Sequence, residues 1–478
     1  LRAEIENTNT LNLSLDDCVT MALEKNLDIR IRLIQPEIDE FSLAGARGAY
    51  DPSFAFSASQ RFNASPGSSD PNSVLFGRGS DTFTERFAPT IDGKLPFGTT
   101  YSLGGSLRRQ SGTSFTSHQY NSDLSLNLRQ PLLKNFMIDG DRQTIAVNKR
   151  SLKISELQLR HQLMRTINSV EQSYFELLFR RDNVRVREAS LRLAEQLLSD
   201  NRRRVELGAM APLEEKQAES QVAARKSDLL SARASLDTEM NRLKALLSDE
   251  FSSWSMAWIE PKDKLLAVVH PFDIQQSWSE GMMARPDLLQ SKESLERQDI
   301  VLRYRKNQLL PSLDLQLTYG HTGLGTDVGG GLIGIRTGTG QNYSYGLVLR
   351  IPFSNKIAKN SYRASRKQKE KLILQHKQLE QQVIIEIDNA VKAARTSYLQ
   401  IEATREARLY AEAALEAEQK KYLNGKSTSF VVLQLQRDLT AARSNEIRSL
   451  ADYNKSLSVL WLSEGSTLRR RSLNVEVK

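Results

Sequence analysis

The sequence predicts a mainly α-helical protein with a smaller set of membrane-type β-strands. It is built twice from one unit: helix, strand, strand, long helix, returning helix. Three observations predict this. The chain repeats its own order of elements, its long helices carry a sustained heptad, and its strands alternate strictly between apolar and polar residues.

Composition sets the frame. Of 478 residues, 39% are apolar and 26% charged, a profile of long helices with wet faces rather than of a large globular core. The net charge is +9, but Lys and Arg are interspersed with Glu and Asp along helical stretches. They read as solvated helix faces, and no nucleic-acid partner is expected. The one cysteine, Cys18, allows no internal disulfide and reads as a buried small residue of a helix. Leu15-Asp16-Asp17 before it lacks the small apolar residues of a lipid-anchor signal. No leader is visible and the first residue is Leu1, so the sequence is expected to begin after a removed start, with lipidation upstream of Leu1 left open. No run reaches the ~18 apolar residues of a membrane-spanning helix. Any membrane crossing therefore falls to a closed β-barrel, which satisfies every backbone group in lipid.

The repeat is traceable residue by residue. One helical pattern opens around Asn26-Leu27-Asp28 and ends at Tyr50-Asp51-Pro52; another opens around Arg285-Pro286-Asp287 and ends at Leu310-Pro311. Asp28 and Pro52 align with Asp287 and Pro311 at one constant offset. A strand follows each proline. A second strand ends at Arg129-Gln130-Pro131-Leu132 and at Arg350-Ile351-Pro352-Phe353, and a very long helix follows each. The long helices stop at Gly208 and Gly425, glycine being the favoured residue for a left-handed helix end. Each long helix is on the order of 100 Å, about the sum of the two shorter helices of its repeat. The expected boundaries are a first repeat over 13–248, with helices 13–49, 142–207 and 212–247 and strands about 53–62 and 120–130. A linker or equatorial segment follows at 249–273. The second repeat covers 274–462, with helices 274–310, 356–423 and 428–462 and strands about 312–320 and 342–351, and a tail runs from 463 to 478.

Leu163, Val170, Leu177, Val184, Leu191, Leu198 and Val205 recur every seventh residue, which forces neighbouring helices to supercoil. Ile387, Ala394, Ile401, Leu415 and Tyr422 form a looser seam interrupted by Arg408. An ordinary coiled coil explains these helices equally well, and the strands break the tie. Leu313, Leu315, Leu317 and Tyr319 alternate with polar residues, as do Tyr343, Tyr345, Leu347 and Leu349, and Leu124, Leu126 and Leu128. Two faces in two solvents and tyrosines near strand ends fit lipid-facing barrel strands. Four strands per chain cannot close a barrel, so several chains must pool them, and three chains give about twelve. Residues 81–108 read as an extra hairpin turning at Asp92-Gly93 and projecting beyond the membrane, with addition to the barrel as the alternative. The Gly-rich stretch His321–Gln341 reads as an extracellular loop.

Nothing points to catalysis. Gly425-Lys426-Ser427 lacks the earlier glycine of a phosphate-binding loop, and the five histidines have no ligand spacing. No enzyme activity, cofactor or metal is expected.

The duplicated order resembles the TolC-like outer-membrane efflux family (outer membrane factors) over about Leu13 to Leu462. Its most specific pieces are Asn26-Leu27-Asp28, Gln130-Pro131-Leu132-Leu133, Val205-Glu206-Leu207-Gly208 and Lys421-Tyr422-Leu423-Asn424-Gly425. The resemblance implies a homotrimer: a 12-stranded outer-membrane β-barrel continuing into a long α-helical periplasmic barrel, with an equatorial belt from 249–273 and the tail. It implies a passive exit duct of a tripartite efflux or type I secretion system, partnered by a periplasmic adaptor, an inner-membrane transporter and outer-membrane lipid. Adaptor docking maps to the helix tips Leu207, Gly208, Ala209, Met210 and Asn424, Gly425, Lys426, Ser427. A periplasmic gate maps to Glu215, Tyr422, Phe430, Val431 and Gln434. Val431 and Gln434 stand where gated members carry aspartates, and Ser427 where they carry an arginine, so a less charged constriction is expected. The rival reading is a trimeric structural or secretion-linked coiled-coil scaffold without transport.

Overall fold

The computed structural model describes residues 10–67, 69–72, 79–113, 115 and 117–473. The elements follow in the order β1 (Thr10–Leu13), α1 (Leu15–Lys25), α2 (Leu27–Arg47), β2 (Ser53–Ser65), β3 (Ser80–Lys94), β4 (Thr100–Gly112), β5 (Gln119–Pro131), α3 (Gly140–Glu206) and α4 (Pro212–Leu247). Then come α5 (Phe251–Trp254), β6 (Trp258–Pro261), α6 (Ile274–Ala284), α7 (Pro286–Asn307), β7 (Ser312–Gly325), α8 (Val328–Thr337), β8 (Gln341–Arg350), α9 (Lys356–Leu423), α10 (Ser429–Glu464) and α11 (Thr467–Arg470). They form two units. One takes the described residues of 1–36, 154–292 and 375–478; the other takes those of 37–153 and 293–374.

The helical unit is built on the predicted seams. Along α3, Leu163, Val170 and Leu177 are at most 5% exposed, and they pack with Cys18, Ala22, Leu236, Met240 and Leu243 from α1 and α4. In the second repeat Val383, Ile387, Val391 and Ala394 of α9 pack against Leu288 of α7 and Tyr453, Leu457 and Leu460 of α10. Arg408, which interrupts the seam, bonds Glu412 at 2.8 Å and Glu446 of α10 at 2.5 Å. Cys18 is wholly buried in α1, and desolvation pushes its thiol up to about 12, so it is an inert packing group.

Each repeat opens on two helices where the sequence predicts one. The first break is at Asn26, whose side-chain oxygen accepts the N–H of Asp28 and of Ile29 and so caps α2. The second is at Arg285, extended because Pro286 disfavours helix in the residue before it. Arg285 spans the break by ion pairs to Asp287 (2.6 Å) and Glu386 (2.8 Å). The expected linker at 249–273 contains β6, which pairs in parallel with β1. After the glycine C-cap Gly465, the tail adds α11 and places Arg471 on Glu171, a fully buried carboxylate of α3.

The sheet unit departs most from the expectation. Its six strands run in the order β2-β3-β4-β5-β7-β8, all neighbours antiparallel. The extra hairpin is β3–β4, inserted between β2 and β5, so one chain brings six strands where the sequence counts four. Asp92 and Gly93 lie inside the β3–β4 ladder, opposite Ser102 and Tyr101. The turn falls at Leu95–Thr99 instead, closed by the Leu95 N–H to the Thr99 carbonyl at 2.8 Å, with Gly98 at φ +94°. Pro96 and Gly98 supply the turn chemistry that outweighs the Asp-Gly signal. The stretch read as a glycine-rich loop carries α8. Asp327 caps it by accepting the Gly330 N–H, and Gly338 ends it in the left-handed region. Its three consecutive glycines hid the helix, since glycine is among the weakest helix formers.

Candidate functional site: a two-faced sheet and paired helix tips

Strand register decides what each face of the sheet offers. Phe56 lies opposite Pro89, Phe62 opposite Phe83, Phe87 opposite Leu107, Leu103 opposite Leu126, Leu126 opposite Tyr319, and Tyr319 opposite Tyr343. Because side chains alternate along a strand, every one of these lies on the same face. Phe54, Phe56, Phe62, Phe83, Phe87, Leu103, Leu126, Tyr343 and Leu347 are all exposed there. One apolar, aromatic face therefore runs unbroken across all six strands. Of the charged residues on this face, Glu85 and Arg109 lie directly opposite one another and pair at 3.2 Å, and Asp81 stands at the end of β3, opposite Ala64.

The other face is polar. It carries Ser57, Ser59 and Arg61 of β2, Arg86 and Thr90 of β3, Ser102 and Arg108 of β4, Asn127 and Arg129 of β5, Gln316 and Thr318 of β7, and Ser344 and Arg350 of β8. Arg129 pairs with Asp314 at 2.7 Å, and Ser106 donates to Asp123. The face of the sheet that lipid could accept and the face that water needs are thus cleanly separated. Both edges, β2 and β8, have no further strand beside them among the described residues.

The helical unit presents two matched tips. In the first, the Gly208 N–H bonds the Val205 carbonyl at 3.0 Å and the Ala209 N–H bonds Arg204 at 2.8 Å; Gly208 has φ +72°. In the second, Gly425 bonds Tyr422 at 3.0 Å and Lys426 bonds Lys421 at 2.9 Å; Gly425 has φ +70°. Both are the same double-bonded glycine cap. Nothing lies within 4 Å of a side chain added at either glycine. Gly208→Ala and Gly425→Ala are therefore expected to cost only the left-handed backbone penalty, about 1 kcal/mol each. Thermal denaturation of the single variants checks this, and a loss several times larger would point to a packing role.

The tips are tied to each other. Tyr422, 5% exposed, donates its hydroxyl to Asn201 Oδ1 at 2.6 Å, and Arg204 stacks on its ring at 4.6 Å. Burial holds the Tyr422 phenol above its ordinary range. Ser429 donates to Glu214 across the same junction. Leu197, Leu415, Val432 and Leu433 fill the core beneath. Of the gate residues read from the sequence, Tyr422 sits in this junction. Glu215 bonds Arg202 at 3.0 Å, and Phe430, Val431 and Gln434 are exposed along α10. Phe430 and Gln434 line a cavity between α4 and α10 with Leu213, Gln217 and Arg437. Sequence reasoning missed Asn201 and Glu214, which make the junction; nothing local marks a polar residue as the partner of one more than 200 positions away. Among the described residues no group of three His, Cys, Asp or Glu could hold a metal ion.

The family model for outer membrane efflux proteins matches residues 85–248 and 282–463, one stretch in each repeat. The chain belongs to the outer membrane efflux protein family. Its first matched stretch includes most of β3 and all of β4, the strands of the extra hairpin. The fold of this efflux protein is similar to solved outer-membrane channels. OprN has TM-score 0.69 and 15% identity over 95% of this chain and 90% of that one. CmeC of Campylobacter jejuni has TM-score 0.67 and 17% identity over 97% and 90%. CusC has TM-score 0.69 and 16% identity over 96% and 94%. Among curated proteins no sequence matches. Family and fold together support an efflux-duct role at the outer membrane.

Proposed function

We propose that three copies of this chain close a single passive duct through the outer membrane, extended by the helices into the periplasm. In this reading the duct receives substrate from a periplasmic adaptor and an inner-membrane transporter, in tripartite efflux or type I secretion. One observation carries it: a six-stranded sheet with an apolar face, a polar face and two open edges. An unpaired strand edge in lipid leaves a row of backbone groups unsatisfied, each costing several kcal/mol. Single-chain outer-membrane barrels begin at about eight strands, so six do not close alone in lipid. With β2 of one copy pairing β8 of the next, three copies supply eighteen strands. At a spacing of about 4.8 Å and a tilt of about 40°, that wall is about 36 Å across, against about 24 Å for twelve strands. The apolar face then meets lipid and the polar face lines the lumen.

The tips Leu207–Met210 and Asn424–Ser427 dock the adaptor in this reading. Exposed apolar side chains support the assignment: Leu207 is 82% exposed and Leu423 69%. Tyr422 joins the two tips, so opening requires its bond to Asn201 to break, and an adaptor that binds the separated tips more tightly shifts the population toward open. Phe430, Val431, Gln434 and Glu215 line the constriction that closes.

The test is the detergent-extracted particle and its conductance in planar bilayers. A three-chain particle that conducts is the expected result. A water-soluble monomer, or a trimer that inserts without conducting, would return the chain to the scaffold reading.

A further inference from the structure

We infer that the polar face of the sheet carries an anion-binding site built from Arg61, Arg86 and Arg108. The inference rests on the duct reading, which turns this face toward the lumen. In an antiparallel ladder, directly opposed residues on one face have Cβ atoms about 5 Å apart. Arg86 of β3 is directly opposite Arg108 of β4. Arg61 of β2 is opposite Thr84, which puts it diagonal to Arg86 on the same face. Three arginines thus occupy neighbouring positions on one face of three adjacent strands. Like charges facing each other across a ladder are destabilising. Among the described residues none of the three has a carboxylate within ion-pair distance, although most other arginines of the chain do. The nearest acid on that face, Asp123, lies diagonal to Arg108 and accepts from the Ser106 hydroxyl. Asp314 is taken by Arg129, and Lys94 is neutralised by Asp139 and Asp141.

An unneutralised arginine group on a water-facing wall is stabilised by mobile anions. Guanidinium forks match the oxygens of phosphate, sulfate and carboxylate groups bidentately. In a trimer the site repeats three times and brings nine guanidiniums to one level of the lumen, where low-dielectric walls focus the field. The ligand class is therefore solutes bearing phosphate, sulfate or carboxylate groups, and the duct favours them over cations. Two of the three arginines lie on β2 and β3, and the third on β4, so the site exists only because the extra hairpin is part of the sheet.

The experiment uses the full-length trimer in planar bilayers under a KCl gradient, with inorganic pyrophosphate as the multivalent probe. The native duct is expected to pass chloride about threefold better than potassium and to be blocked by pyrophosphate, the block fading at high salt. Combined Arg61→Gln, Arg86→Gln and Arg108→Gln replacement is expected to remove both the preference and the block while leaving the trimer assembled. Arg350→Gln, on the same face but away from the group, is expected to keep the block. A conducting native duct that prefers potassium, or a triple variant still blocked like the native protein, overturns the anion site and leaves the duct standing. Failure of the native trimer to conduct overturns the duct reading itself.

Discussion

Phe87→Arg is expected to remove the chain from the outer membrane, whereas Thr90→Arg, three residues along the same strand, is expected to assemble normally. The two positions differ in the face they occupy. Phe87 is 46% exposed, at the middle of β3, between Ala58 of β2 and Leu107 of β4 on the aromatic face. A charge there would sit in hydrocarbon at a cost of about 2–4 kcal/mol per chain, and the proposed three-fold assembly would incur it three times. Thr90 lies between Ala55 and Gly104 on the polar face, where a guanidinium stays in water. Outer-membrane fractionation with a trimer band on unheated gels reads both outcomes. Normal assembly of Phe87→Arg would mean that β3 and β4 stand outside the hydrocarbon, and the wall would fall back to twelve strands. Failure of Thr90→Arg as well would mean that β3 rejects added bulk at both positions, so that the loss in Phe87→Arg does not report which face meets lipid.

That pair also marks where sequence reasoning stopped. The long helices were legible because their heptads persist over many turns: 142–207 and 356–423 are the stretches that α3 (Gly140–Glu206) and α9 (Lys356–Leu423) occupy. The central strands were legible because their alternation is clean, as in Leu313-Asp314-Leu315-Gln316-Leu317. Strand β3 was legible as a hairpin arm but its place in the sheet was not, because Phe83, Phe87 and Ile91 are interrupted on the same face by Glu85, Pro89 and Gly93. Only the register explains the interruption. Glu85 is neutralised by Arg109 on the next strand, a compensation invisible along one strand. The same holds at the tips. Both glycine caps were visible as local chemistry, while the bond from Tyr422 to Asn201 joins separate repeats and has no local signature. The helix breaks at Asn26 and Arg285 stood in plain view as a capping asparagine and a proline. They were passed over because the apolar periodicity continues through them.

Arg471→Met is expected to be among the costliest single substitutions in the helical unit. Glu171 of α3 is 0% exposed, in the middle of the longest buried seam. Its charge is met by Arg471, through Nε at 2.9 Å and Nη2 at 2.7 Å, with a further bond from the Ser458 hydroxyl of α10. Arg471 also reaches Asp16 of α1 at 2.6 Å. One tail residue thus ties the first helix of the chain to the long helix of its repeat. Removing the guanidinium leaves a buried carboxylate without its cation, a loss of about 3–5 kcal/mol. Most of that is the desolvation of the orphaned charge, not the worth of the pair. Adding Glu171→Gln to Arg471→Met removes the charge and is expected to recover more than half of the loss. Chemical denaturation of the single and double variants gives the coupling directly. Equal loss in the two would show that Arg471 acts through its packing against α1 and α3 and not through its ion pair with Glu171.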